Sequence, residues 1–290
     1  MTKPINTHYL FFLRKNKKTI ILSVIIWIIL ALIYLRIATP VYKAEMTIAP
    51  AEGATSSTGI DSVIGQLRSA GLSNFLPRGL SLGKKITSYD KFIYMINTHR
   101  TAKAMQGNHQ VLQKIFKRNW DTEKHIWKMP NGLIFKIKNT VKGLLGLPEW
   151  APPDNWALQR FIENKIKISF TGSTVMRKIT FVHEDREFSQ LFLQQLFNTV
   201  DSLLRNEAHV RISNQIKYIG KQIESTVNVE HRKVLFELLS QLDQKKMMLS
   251  SDLSYAASLI QKPIASDVPV SPKPRNIVFI FILLGLFTDK

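Results

Sequence analysis

The chain contains no cysteine. Disulfides, thiolate nucleophiles, zinc ribbons and iron–sulfur clusters are thereby excluded. The seven histidines, His8, His99, His109, His125, His183, His209 and His231, never fall into an H-E-x-x-H or another tight ligand pair, so no metal site is expected. His183, Glu184, Asp185 and Glu187 form the one dense ionisable cluster. Acid–base catalysis is one use for such a group; complementing the dipole of a helix start is the simpler one. Gly79–Lys84 (GLSLGK) has three residues between its glycines where a Walker A loop needs four, and Lys85 stands where Ser or Thr would meet Mg²⁺. No G-x-S-x-G elbow occurs. The sequence offers no catalytic constellation and calls for no cofactor.

The elements around these residues begin and end in apolar segments. Thr19 to Leu35 holds 17 residues without a charge, close to the ~20 that a helix needs to cross ~30 Å of hydrocarbon, with Arg36 able to snorkel. Lys3, Arg14, Lys15, Lys17 and Lys18 precede it with no acidic residue, which places the N-terminus in the cytoplasm. A cleavable signal peptide is the alternative; the apolar run is long for one and no A-x-A site follows. Ile277 to Phe287 is equally apolar but has 11 residues, about 17 Å of helix, too short to span. It reads as the start of a second membrane helix that is cut short.

Between the segments lie enough residues for one or two domains with a buried core. Val41 to Ile48 alternates as a strand should. Gly53 to Gly59 reads as a flexible loop, Ile60 to Ala70 as weakly helical and Gly71 to Gly83 as irregular. Ser88 to Gln106 reads as one helix with Ser88 or Asp90 at its cap. Short helices and loops are expected from Gly107 to Pro153, then a helix over Asn155 to Asn164. Lys165 to Phe170 and Arg177 to His183 are two strands of a hairpin. No proline occurs between Pro153 and Pro263, and Gly220 is the only glycine from Ser173 to Arg275, so a long helix is expected over 186–250. Its apolar stripe includes Ile212, Ile216, Ile219 and Ile223, and Leu235, Leu238, Leu242 and Leu249 continue it. Ser225 to Val229 (STVNV) is the weak point, where a turn would give a helical hairpin instead. Leu253 to Ile260 can return as a strand, and Pro263, Pro269, Pro272 and Pro274 enforce an extended path towards the second apolar segment.

The net charge of +19 comes from 40 Lys+Arg against 21 Asp+Glu. A soluble protein so basic would suggest nucleic acid; the membrane topology argues against that partner. Ten Lys or Arg between Arg100 and Lys142 face only Asp121 and Glu123, a patch that attracts membrane lipid or acidic polysaccharide, or is simply solvated. Within it Trp120, Trp127, Lys124 and Lys128 pair sugar-stacking faces with cations, a possible glycan contact; filling a core is the other use for those tryptophans and for Trp150 and Trp156.

The order of parts, from a basic start and first apolar helix through VYKAEMTI, the α/β region, the long helix and DVPVSPKPRN into IVFIFILLGLF, resembles a chain-length determinant of the polysaccharide co-polymerase (Wzz-type) family. Its sharpest match is the run Pro263, Pro269, Pro272 and Pro274 with Gly285 beyond it. The resemblance implies an α+β fold, membrane-anchored, with a periplasmic α/β base domain, a long projecting helix and flanking membrane helices, the second incomplete. The implied layout is 1–18 cytoplasmic, 19–37 transmembrane, 38–185 base domain, 186–250 long helix or hairpin, 251–276 return strand and proline-rich segment, and 277–290 the start of the second span. It implies a non-enzymatic homo-oligomer of the cell inner membrane, its bulk in the periplasm. Partners would be membrane lipid and a polysaccharide polymerase or its growing glycan, and the role would be to set the length of O-antigen, common antigen, capsule or exopolysaccharide. The stripe Ile212, Ile216, Ile219 and Ile223 would then face neighbouring subunits. The absent Walker motif excludes a fused kinase. A periplasmic adaptor of a secretion system and a tethered glycan enzyme using the His183 to Glu187 cluster are the competing readings.

Overall fold

The computed structural model describes residues 17–51, 86–107, 109–130, 132–146, 150–251 and 253–287. The start of the chain through residue 16, the loop at 53–59, the weak helix at 60–70, the irregular 71–83 and the GLSLGK segment lie outside them. Two compact units make up the chain, Met1–Lys43 with Val182–Ser189 and Ala265–Lys290, and Ala44–Phe181 with Gln190–Ile264.

The first unit is built on helix α1 (Lys17–Ile37) and helix α9 (Pro274–Phe287). They pack antiparallel, as Ser23 Oγ donates to the Gly285 carbonyl over 3.0 Å while Trp27 and Phe281 meet edge to face at 5.7 Å. Gly285 permits the approach: a Cβ there would sit 3.1 Å from the Val24 Cα and 3.1 Å from the Trp27 ring. Pro274 opens α9 because a first-turn residue needs no N–H. Among the described residues no helix is long and apolar enough to cross a membrane; the side chains of α1 are described from Leu22 on and those of α9 as far as Gly285.

The second unit centres on a four-stranded sheet in the order β4-β5-β1-β6. β1 (Tyr42–Pro50) is central, with Ala44, Met46 and Ile48 wholly buried. β4 (Ile166–Phe170) and β5 (Arg177–His183) form the expected antiparallel hairpin, Ile168 opposite Ile179. β6 (Ala257–Ala265) runs against β1, since Ala51 N donates to Ala256 O and Ser258 Oγ to Ala49 O. The return strand thus begins at Ala257 and continues through Pro263, beyond the expected Leu253 to Ile260. An edge strand tolerates proline because one row of its backbone groups has no ladder partner.

Among the described residues between β1 and β4 are helices α2 (Ser88–Met95), α3 (His99–Gln106), α4 (His109–Ile115), α5 (Leu133–Leu144) and α6 (Asn155–Lys165) and a two-stranded ribbon of β2 (Trp120–Asp121) and β3 (Ile126–Trp127). The single helix expected over Ser88 to Gln106 is two. Thr87 caps α2 in a reciprocal box with Asp90, and the Thr98 and Thr101 hydroxyls both donate to the Met95 carbonyl, at 2.9 and 2.6 Å, in place of continuing helix bonds. Aromatics join these helices to the sheet: Phe181 lies 4.7 Å from Phe192 and 5.9 Å from Phe161, and Phe92 5.2 Å from Phe197.

Phe192 and Phe197 belong to α7 (Arg186–Ser225), 40 residues or about 60 Å. Of the two arrangements open for 186–250 the structure adopts the hairpin, with α8 (Val229–Leu249) returning along α7. The turn falls in STVNV: Asn228 accepts from His231 N at 3.2 Å as a helix cap, the Thr226 hydroxyl donates to Gln222 O at 2.6 Å, and Arg232 reaches Thr226 O at 2.8 Å.

Candidate functional site

Three surfaces carry the residues that the sequence singles out. The proline-rich segment begins in β6, where Pro263 is buried, and continues beside the start of β1. Ser266 N donates to Lys43 O, Val270 N to Val41 O and Val41 N to Ser271 O, each at 2.9 Å. Pro269, Pro272 and Pro274 supply no N–H, so the segment donates to this stretch through Ser266 and Val270. The Ser271–Pro272 bond is cis. Together with Lys43, Val270, Lys273, Arg275 and Asn276 these three prolines line an open groove. Its cationic rim suits anions. Three of the four named prolines thus share one surface, while Pro263 stays within the strand.

The second surface is the β2–β3 ribbon. Trp120 and Trp127 stand opposite each other with ring centroids 4.9 Å apart, edge to face. Asp121 is buried beneath the turn and accepts from Glu123 N at 3.0 Å, Lys124 N at 3.3 Å and Lys128 Nζ at 2.8 Å. The Lys128 ammonium and these amides hold its carboxyl below the ordinary carboxylate range. His125 closes the turn with φ 52°, in the left-handed region. The structure therefore brings Trp120, Trp127, Lys124 and Lys128 together on one small ribbon. Both tryptophans are half-buried and lend their faces partly to each other, and Lys128 is engaged by Asp121. Trp156 lies apart from them, exposed and stacked 3.9 Å from His99.

The third is the isoleucine stripe. Ile212 and Ile219 are buried, and Ile216 and Ile223 pack on the same cluster with Leu235, Leu238, Leu242 and Leu249. The stripe packs with α8 of its own chain, because the turn at Thr226 to Asn228 folds the second half of the apolar pattern onto the first. Val210, Phe236 and Met247 are among the apolar residues left exposed on the hairpin.

The His183 to Glu187 cluster is a helix start. Asp185 accepts from Phe188 N at 2.9 Å, donates its own N–H to His183 Nδ1 at 3.0 Å, and the His183 ring packs 4.7 Å from Phe188. Sequence reasoning missed Asp201 and Arg205. Asp201, buried in α7, accepts from Tyr255 N and Ala256 N, each at 2.9 Å. Arg205 donates to Leu249 O at 3.2 Å and also to Ser251 O and Leu253 O. The pair fastens the chain as it leaves α8 for β6. An acidic and a basic residue at i, i+4 on a long helix look like any surface pair, so nothing in the sequence marked them.

The family model for chain length determinant protein, Wzz, matches residues 7–117. No curated protein matches. Among solved structures, a full-length bacterial polysaccharide co-polymerase is similar over 96% of this chain and 93% of its own, at 14% identity and a TM-score of 0.44. A fragment of WzzB, a polysaccharide co-polymerase from Salmonella Typhimurium, is similar over 80% of this chain and 100% of its own, at 13% identity and a TM-score of 0.30.

Proposed function

We propose, since residues 7–117 match the model of the chain length determinant (Wzz) family, that this protein regulates the length of a surface polysaccharide. It does so as a non-catalytic scaffold of the inner membrane, working with a polymerase or its growing glycan. The family match is the observation that carries the reading. The charge asymmetry around the first apolar segment supports placing the bulk of the chain in the periplasm.

Support for the membrane comes from the α1–α9 pair. Its outward face carries Leu22, Ile26, Ile29, Ile33 and Phe279, all about half exposed or more. A helix pair apolar both at its seam and outside it is suited to hydrocarbon, not water. For an oligomer the apolar patches of the hairpin at Val210, Phe236 and Met247 take the role first read into the isoleucine stripe. Deleting the gene and resolving the surface glycan by gel is the test: loss of a modal length band, restored by the gene in trans, is expected. An unchanged length distribution overturns the proposal.

A further inference from the structure

Helix α5 is amphipathic with its apolar side turned outward. Ile137, Val141, Leu144 and Leu145 recur at helical spacing and are 65%, 50%, 84% and 67% exposed. Phe135, Asn139 and Lys142, on the other side of the helix, line a small cavity with Trp150, so the mixed face borders that cavity and the aliphatic one is left exposed. In an ordinary surface helix the arrangement is the reverse. The sequence of α5, LIFKIKNTVKGL, carries Lys136, Lys138 and Lys142 and no acidic residue, and the surrounding 100–142 holds ten Lys or Arg against two acidic residues.

We propose that α5 lies in the interface of an anionic bilayer, its aliphatic face among the acyl chains near the headgroups. The charge balance selects this occupant. A second copy would set lysine-rich segments against one another, which like-charge repulsion opposes, whereas an anionic lipid surface attracts them. A polysaccharide would favour aromatic platforms over the aliphatic side chains found here. The proposal rests on the membrane anchoring proposed above and adds a second lipid contact, independent of the apolar helix pair.

The absence of cysteine permits a clean test on the full chain, reconstituted in vesicles. An environment-sensitive fluorophore is attached through Leu144→Cys or, for reference, through Val227→Cys at the tip of the helical hairpin, where the side chain is 90% exposed. In vesicles containing phosphatidylglycerol, the label at position 144 is expected to shift to the blue and to be quenched by spin-labelled lipid, while the label at 227 is not. Replacing Lys136, Lys138 and Lys142 with Gln should weaken the contact roughly fivefold per lysine. A label at 144 no more quenched than that at 227, in chain that floats with the vesicles, overturns the docking alone. Chain that does not float overturns both the docking and the anchoring. A blue shift without lipid quenching that is lost on dilution, or one produced by an acidic polysaccharide without lipid, assigns the face to a second copy or to a glycan and likewise overturns it.

Discussion

Asp201 shows how much one side chain holds at a chain reversal. Its carboxylate receives two backbone amides and the Arg205 guanidinium at 3.2 Å, where the backbone changes from helix to strand and has no ladder of its own. Removing it leaves those amides without an acceptor in a buried setting, and Asp201→Ala is expected to destabilise the fold by about 2–4 kcal/mol. Denaturant unfolding measures this, and a loss below about 0.5 kcal/mol, the range of ordinary surface changes, contradicts it. Asp121 gives a prediction in pH. Because its carboxyl titrates lower folded than unfolded, its contribution is full above the unfolded value near ~4 and disappears as pH falls through the depressed folded value. The melting-temperature difference between the native chain and Asp121→Asn should therefore be constant from neutral pH down to about pH 4 and shrink below it. A difference that grows on acidification has the wrong sign.

Among the elements, the helical hairpin is the most exacting. Its seam joins residues of α7 and α8 that are almost fully shielded, Ile219 at 0% and Leu238 at 1% exposed. Ile219→Lys places an ammonium in that seam with no partner and is expected to open the hairpin, visible as protease cleavage within α7 and α8. Val229→Lys, at a position 76% exposed, should leave cleavage unchanged. If Ile219→Lys instead keeps the hairpin protease-resistant and only disperses an assembly, the stripe faces a neighbour after all. Truncating Leu238 to Ala should cost roughly 2–5 kcal/mol, since a cavity replaces a buried leucine.

For the molecule as a whole, the proposed function depends on orientation across a membrane. The absence of native cysteine again helps, because Val227→Cys is a single reactive thiol on an exposed turn. Cells stripped of their outer membrane should label it with a membrane-impermeant maleimide without lysis. Labelling that requires lysis would put the hairpin in the cytoplasm and remove the protein from the compartment in which a periplasmic scaffold works.

Local pattern sufficed where the physics is local. The alternation in β1, the β4–β5 hairpin and the helix start at the His183 to Glu187 cluster all follow from residues within a few positions of one another. The same holds for the proline-rich path. Tertiary structure alone decided the rest. Whether 186–250 was one rod or two helices was open, because the isoleucine and leucine stripe satisfies either until α8 turns back and covers α7. The division of Ser88 to Gln106 depended on threonine hydroxyls finding the Met95 carbonyl. The Asp201–Arg205 fastening and the outward aliphatic face of α5 were both invisible, since periodicity shows that a helix has an apolar side but only its neighbours determine which side they cover.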